Sequence, residues 1–323
     1  MTIGTTDTAA PRTPENPPRL HDVVAALEDL YPPSTAEGWD AVGLVVGDPA
    51  APVRKILFAV DPVAAVIDEA VAWGADLLVT HHPLFLRPVH SVAATTFKGD
   101  VVHRLLRAGC GLYVAHTNAD AAPRGVADAL ADLVGITDRS PLVVGPDGVD
   151  AGAVRGIGRV GRLAEPTTLG AFAEHVAAVL PATAQGVRVA GDLDAPVATA
   201  AVVGGSGDSL FDAVRAAAVD VYVTADLRHH PASELRERAD FESRTSTGAA
   251  TPFLVDVAHF ASEWPWLAYA AEDVVARLGE RAGGGTGDGS GEGTVTTRVS
   301  TIGTDPWTAR VASSVRATDR PTS

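Results

Sequence analysis

Three short clusters in this chain carry side chains able to hold a metal ion. They are His81-His82, directly before Pro83; His116 and Asp120, four residues apart; and His259 and Glu263, with the same spacing. On a helical turn an i,i+4 pair shares one face, so each spaced pair can converge on a single point. Adjacent residues of an extended chain point to opposite sides, so His81 and His82 are expected to serve different ions. Asp120 supplies the anionic oxygen that two divalent ions need; its other reading is an N-cap for a helix over Gly125 to Leu133. Glu263 has two carboxylate oxygens and is suited to bridge. His116 is a ligand, an orienting partner or the group that carries a proton during catalysis. Cys110 is the only cysteine, which rules out an internal disulfide and a thiolate cluster within one chain. Imidazole and carboxylate alone admit Zn, Fe, Mn, Co or Ni and do not choose among them.

A fourth feature is Gly204-Gly205-Ser206-Gly207-Asp208, between an apolar strand over Thr199 to Val203 and a helix expected to begin near Ser209. Glycines there leave backbone N–H groups to cradle an anion at a helix N-terminus, which makes Gly204, Gly205, Ser206 and Gly207 candidate binding residues. The other reading is a tight strand-to-helix turn. No lysine follows, so this is not a nucleotide-binding P-loop. His229 and His230, beside Arg228 in a polar stretch, suit a pocket wall or the surface better than a metal.

What must position these groups is a set of parallel strands. The clusters follow the apolar runs Asp76 to Thr80, Gly111 to Ala115 and Pro252 to Val257, where open α/β sheets place their ligands. β-branched runs alternate with Ala-rich amphipathic stretches: Lys55 to Val60, Ala64 to Trp73, Leu77 to Thr80, Val101 to Ala108, Gly111 to Ala115. That rhythm predicts an α/β fold with a parallel or mixed sheet. The stretch ending Gly74-Ala75-Asp76, then LLVT and His81-His82-Pro83, resembles the one ending Ala218-Val219-Asp220, then VYVT, ADLR and His229-His230-Pro231, which suggests two lobes of similar topology. Pro141 to Val149 has the punctuation of a linker. The expected organisation is a disordered tail over 1–18, a first lobe over 19–145, a short connecting segment over 146–198, a second lobe over 199–281 and a disordered Gly-, Ser- and Thr-rich tail over 282–323.

Composition removes several classes of function. Hydrophobic residues make up 46% of the chain, yet no apolar run approaches the ~20 residues of a bilayer span. The N-terminal stretch has no export or transit pattern, so a cytoplasmic protein without a membrane partner is expected. A formal net charge of -15 argues against a strong grip on nucleic acid, which needs clustered Lys and Arg.

Taken together, WDAVGLVVGDP (Trp39 to Pro49), DLLVTHHPLFLRP (Asp76 to Pro88), AHTNADAAPRGVADAL (Ala115 to Leu130), GGSGDS (Gly204 to Ser209), TADLRHH and VDVAHFASE (Val255 to Glu263) resemble the NIF3-like family, also known as GTP cyclohydrolase 1 type 2 homologs. The resemblance runs from about His21 to Gly279, with the motifs in the family's order. It implies two intertwined α/β lobes around a centre of two divalent metal ions, and a ring-like homohexamer. By the same resemblance His81 and His82 each bind a different ion, His259 joins one and Asp120 the other, Glu263 bridges, and His116 stands beside them. Family members often have Asn where this chain has Ala41, and longer relatives carry an inserted middle domain for which the segment here is too short.

A pair of ions bridged by a carboxylate activates water and clamps a substrate oxygen, so a metal-dependent hydrolase acting on a small molecule, in the family's name a nucleotide, is the first expectation. The rivals are a metal carrier or regulatory protein without catalysis, and a phosphoesterase.

Overall fold

The computed structural model describes residues 17–150, 153–244, 249–281 and 295–312. Along the chain run α1 (Leu20–Leu30), β1 (Gly43–Val46), β2 (Lys55–Ala59), α2 (Ala64–Trp73), β3 (Leu77–Thr80), α3 (Phe97–Ala108), β4 (Gly111–Val114) and α4 (Thr117–Ala121). There follow α5 (Val126–Val134), β5 (Ile136–Ser140), β6 (Val143–Asp150), β7 (Ala153–Ile157), β8 (Arg159–Thr168), α6 (Leu169–Val179), β9 (Arg188–Ala190) and β10 (Pro196–Ser206). The rest comprises α7 (Phe211–Ala216), β11 (Val221–Ala225), α8 (His229–Ser243), β12 (Phe253–Val257), α9 (His259–Glu263), α10 (Trp266–Arg281) and β13 (Thr296–Val299). The chain divides into one unit of residues 1–122 with 267–302 and another of 123–266 with 303–323. None of the described helices is long and apolar enough to cross a membrane.

In the first unit a five-stranded sheet has the order β1-β4-β3-β2-β13. β4, β3, β2 and β13 are parallel, and only β1 runs against its neighbour. The central strands read as unbroken apolar runs, LLVT in β3 and GLYV in β4, because both faces are covered. Leu57, Ile67, Leu78, Leu105 and Leu112 pack in one cluster with the helices α2 and α3. Both helices end on a glycine in the left-handed region, Gly74 and Gly109, which releases the chain into the next strand.

The second unit holds a six-stranded sheet in the order β5-β8-β10-β11-β12-β9, in which β10, β11 and β12 are parallel and the outer strands antiparallel. Ala201, Val214, Tyr222, Leu235 and Leu254 form its core. β6 and β7 pair as a separate antiparallel ribbon.

Three expectations about organisation change. The boundary falls at Ala122/Pro123 and not near 145, so the proline that marks it lies inside the His116 to Leu130 motif. The stretch over 146–198 is no connector: β8 sits between β5 and β10 in the sheet, and Thr168 caps α6 by accepting from the Ala171 N–H. Of the tail over 282–323, residues 295–312 are described, and Thr296–Val299 adds a parallel strand to β2. Backbone pairing with Lys55 to Phe58 supplies what its weak apolar pattern does not. The other expected tail lies, up to residue 16, outside the described residues.

Candidate metal centre

Parallel strands end on one edge, and that edge collects the chemistry of the first unit. β2 leads through Val60 to Asp61, β3 to His81 and His82, and β4 through Ala115 to His116. The ladder runs on past the strands: the His82 N–H donates to Val60 O at 2.9 Å and the Ala115 N–H to Thr80 O at 3.0 Å. His81, His82 and His116 each present a nitrogen within 4.8 Å of the others. The rings of His81 and His82 have centroids 5.0 Å apart. Strand alternation, which separates the two in sequence reasoning, therefore does not hold here. The chain leaves the strand after Thr80 and bends before Pro83, and the two imidazoles converge.

Each ring is held by its Nδ1. His81 donates to Ala115 O at 3.0 Å, His82 is bonded to Asp61 Oδ1 at 2.7 Å, and His116 to Asp40 Oδ1 at 2.8 Å. A ring whose Nδ1 carries the proton presents the lone pair of Nε2, the form in which histidine binds a metal. The Nε2 of His81 lies 3.8 Å from Oδ1 of Asp120. Asp120 sits in the short helix α4, and the N-cap of α5 is Gly125, so Asp120 is not that helix's cap. Asp40 also accepts from the N–H and hydroxyl of Thr117, at 3.0 and 2.6 Å. Burial alone pushes the Asp40 carboxyl up, but the hydrogen bonds from His116 and Thr117 and the charge of His116 outweigh it and hold it well below the usual carboxylate range.

The second unit repeats the device with other parts. β11 leads to Asp226, β12 to His259, and β10 ends in the glycine run. His259 Nδ1 is bonded to Asp226 Oδ2 at 2.7 Å, and its Nε2 lies 2.9 Å from Oε1 of the buried Glu263, one helical turn on. An imidazole nitrogen and a carboxylate oxygen so placed are a donor pair that could hold a divalent cation. Asp226 is held at φ 55, a conformation that few residues other than glycine adopt and that aims its carboxylate at the ring.

Gly205 makes the room. At φ +66, a Cβ on it would stand 2.7 Å from Glu263 Oε1 and 3.1 Å from His259 Nε2. Its N–H donates to Ser262 Oγ at 2.8 Å and its carbonyl accepts from Thr224 Oγ1 at 2.9 Å. This corrects the anion-cradle reading at Gly205: its N–H is already engaged, and the helix that follows the run, α7, has only six residues. Gly204, Ser206 and Gly207 flank a close approach of backbone to side chains. His229 and His230 are exposed at the start of α8, rings 5.2 Å apart.

The donor sets suit a divalent ion of the imidazole- and carboxylate-binding kind. Sequence reasoning missed Asp40, Asp61 and Asp226. Asp61 and Asp226 each follow an apolar strand, the same signal that singles out His81.

A family model described as Duf34/NIF3 (NGG1p interacting factor 3) matches residues 18–283. The chain belongs to the NIF3 family. A Streptomyces coelicolor protein named GTP cyclohydrolase 1 type 2 homolog is 52% identical over 297 residues, covering 92% of this chain and 96% of its own. A Mycobacterium bovis protein of the same name is 36% identical over 391 aligned residues, 90% of this chain and 96% of its own. That alignment is longer than the present chain, so the mycobacterial relative carries residues with no counterpart in this NIF3 protein. A crystal structure of a Bacillus cereus protein related to NIF3 superimposes with a TM-score of 0.72 at 23% identity, covering 90% of this chain and 99% of its own, and establishes the fold.

Proposed function

We propose that this NIF3-family protein is a metal-dependent hydrolase with two divalent ions per chain, held by His81, His82, Asp120, His259 and Glu263. The observation that carries this reading is the repeated tether: His81, His82 and His259 each have Nδ1 bonded to a carbonyl or carboxylate oxygen, the orienting contact that metal-ligating histidines make. When bound, such ions supply Lewis acidity and lower the pKa of water. The chain's own contribution is to fix the imidazoles, to bring the anionic oxygens of Asp120 and Glu263, and to hold His116 on Asp40 so that its Nε2 can take up and return a proton. The name those relatives carry makes GTP the first substrate to assay. The same reading takes the protein as a cytoplasmic homohexamer.

Elemental analysis of purified protein tests the ligand set. The wild type should carry two divalent ions per chain; His81→Ala with His82→Ala, and separately His259→Ala with Glu263→Ala, should each lose metal while circular dichroism stays unchanged. Full metal in both double variants would overturn the assignment. Light scattering checks the hexamer, and tight retention of metal during turnover separates an enzyme from a carrier.

A further inference from the structure

The family model ends at residue 283, and the segment Gly303–Ala312 lies beyond it. This segment belongs to the second unit and has no regular secondary structure, yet it builds one wall of a cavity of about 680 Å³. Trp307 and Arg310 line that wall; Gln185, Arg188 and Asp226 line the other. Cavities of that size take small molecules.

We propose that this cavity binds a planar aromatic anion, with Trp307 stacking on the ring and Arg310 and Arg188 holding the charge. Trp307 is 67% exposed, whereas Trp266 in the same chain is fully buried. A large ring left open beside two guanidinium groups offers one apolar face and a cationic rim, the pairing that recognises flat, charged ligands. Arg188 turns Nε and Nη2 to Asp256, which fixes its plane and leaves Nη1 for a ligand. The Gln185 amide donates to Val257 O at 3.0 Å, so its carbonyl oxygen is available to accept a ring N–H. The lining sets Arg310, together with Arg188 that is already paired with Asp256, against one lining carboxylate in a chain of net charge -15. That carboxylate is Asp226, already engaged with the His259 ring. The inference therefore deepens the hydrolase reading by naming the ligand class for the same site, and it makes a C-terminal segment outside the family match the specificity element.

Isothermal titration of the full chain with a purine nucleoside monophosphate, the matching nucleoside, a pyridine carboxylate and inorganic phosphate tests it. At least one ring-bearing anion should bind the wild type more tightly than inorganic phosphate or the neutral nucleoside, and which one binds distinguishes a nucleotide from a simpler ring acid. Trp307→Ala should weaken that ligand roughly tenfold, the size that ring stacking carries, and Trp307→Phe should restore most of it. Arg310→Ala should weaken the anion roughly tenfold and leave nucleoside binding unchanged. Wild-type affinity retained in both Trp307→Ala and Arg310→Ala, or no binding of either ring anion to the wild type, overturns the pocket. Repeating the titration after chelation keeps the two readings apart. Binding that survives chelation supports the pocket independently of the ions, and only a wild type that holds no metal as purified and takes none up sinks the metal centre. Two ions per chain with no ring-anion binding supports the metal centre and sinks the pocket.

Discussion

His81, His82 and His116 stand at the ends of neighbouring parallel strands, whereas His259 and Glu263 stand on one turn of helix above a glycine. In the first arrangement the sheet sets the spacing, and the backbone itself supplies one tether, the Ala115 carbonyl on His81. In the second the spacing is local, and its cost falls on a neighbour: Gly205 must stay without a side chain. Sheet-positioned ligands should therefore tolerate changes nearby better than the helix pair does.

Gly205→Ala is the sharpest way to break that contrast. It adds a Cβ 2.7 Å from Glu263 Oε1 at a φ of +66. Gly109 has nearly the same φ, +68, but nothing within 4 Å of an added Cβ, so Gly109→Ala is the control for backbone strain alone. Such strain costs about 1–3 kcal/mol. Gly205→Ala should lose that and also the metal that depends on His259 and Glu263, while Gly109→Ala should lose stability only. Thermal unfolding and metal content read both; equal metal in the two variants would mean that the glycine is not there for the site.

The tethers give the next largest effect. Removing the charge of a carboxylate that orients a metal-binding histidine typically costs 10- to 100-fold in affinity. Asp226→Asn should fall near the upper end, because His259 is the one imidazole bonded to it. Asp61→Asn should fall near the lower end, because His81 and His116 keep their own tethers. Competition against a chelating dye measures both, and a larger loss in Asp61→Asn would reverse the contrast.

The strand-end histidines were legible because an apolar run followed by imidazole has few other uses, and parallel strands then bring such ends to one edge. The carboxylates were not. Asp61 and Asp226 carry the same signal, but an aspartate after a strand is also ordinary turn chemistry. Asp40 reaches His116 across 76 residues, with no local pattern to announce it. The meeting of His81 and His82 depended on a bend that period-two reasoning does not contain. β13, Thr296–Val299, was hidden for a related reason: TTRV becomes a strand by pairing with β2, and its own sequence says little.

A last experiment asks whether the sheet edge is preformed. Cys110 lies directly before β4, 2% exposed, and burial followed by the charge of Asp76 pushes its thiol up to about 12. The thiolate is the species that alkylates, so native protein at about pH 8 should react with iodoacetamide far more slowly than unfolded chain. Because the folded pKa is raised, the stability linked to this thiol is complete below the unfolded value of about 8.5 and declines above it as pH climbs toward the folded value. If strands alone position His81, His82 and His116, stripping metal with a chelator should leave that slow rate almost unchanged, since β4 and its neighbours keep their pairing. A jump toward the unfolded rate would mean that the ions hold the sheet edge together, and the contrast between the two clusters would then be one of degree.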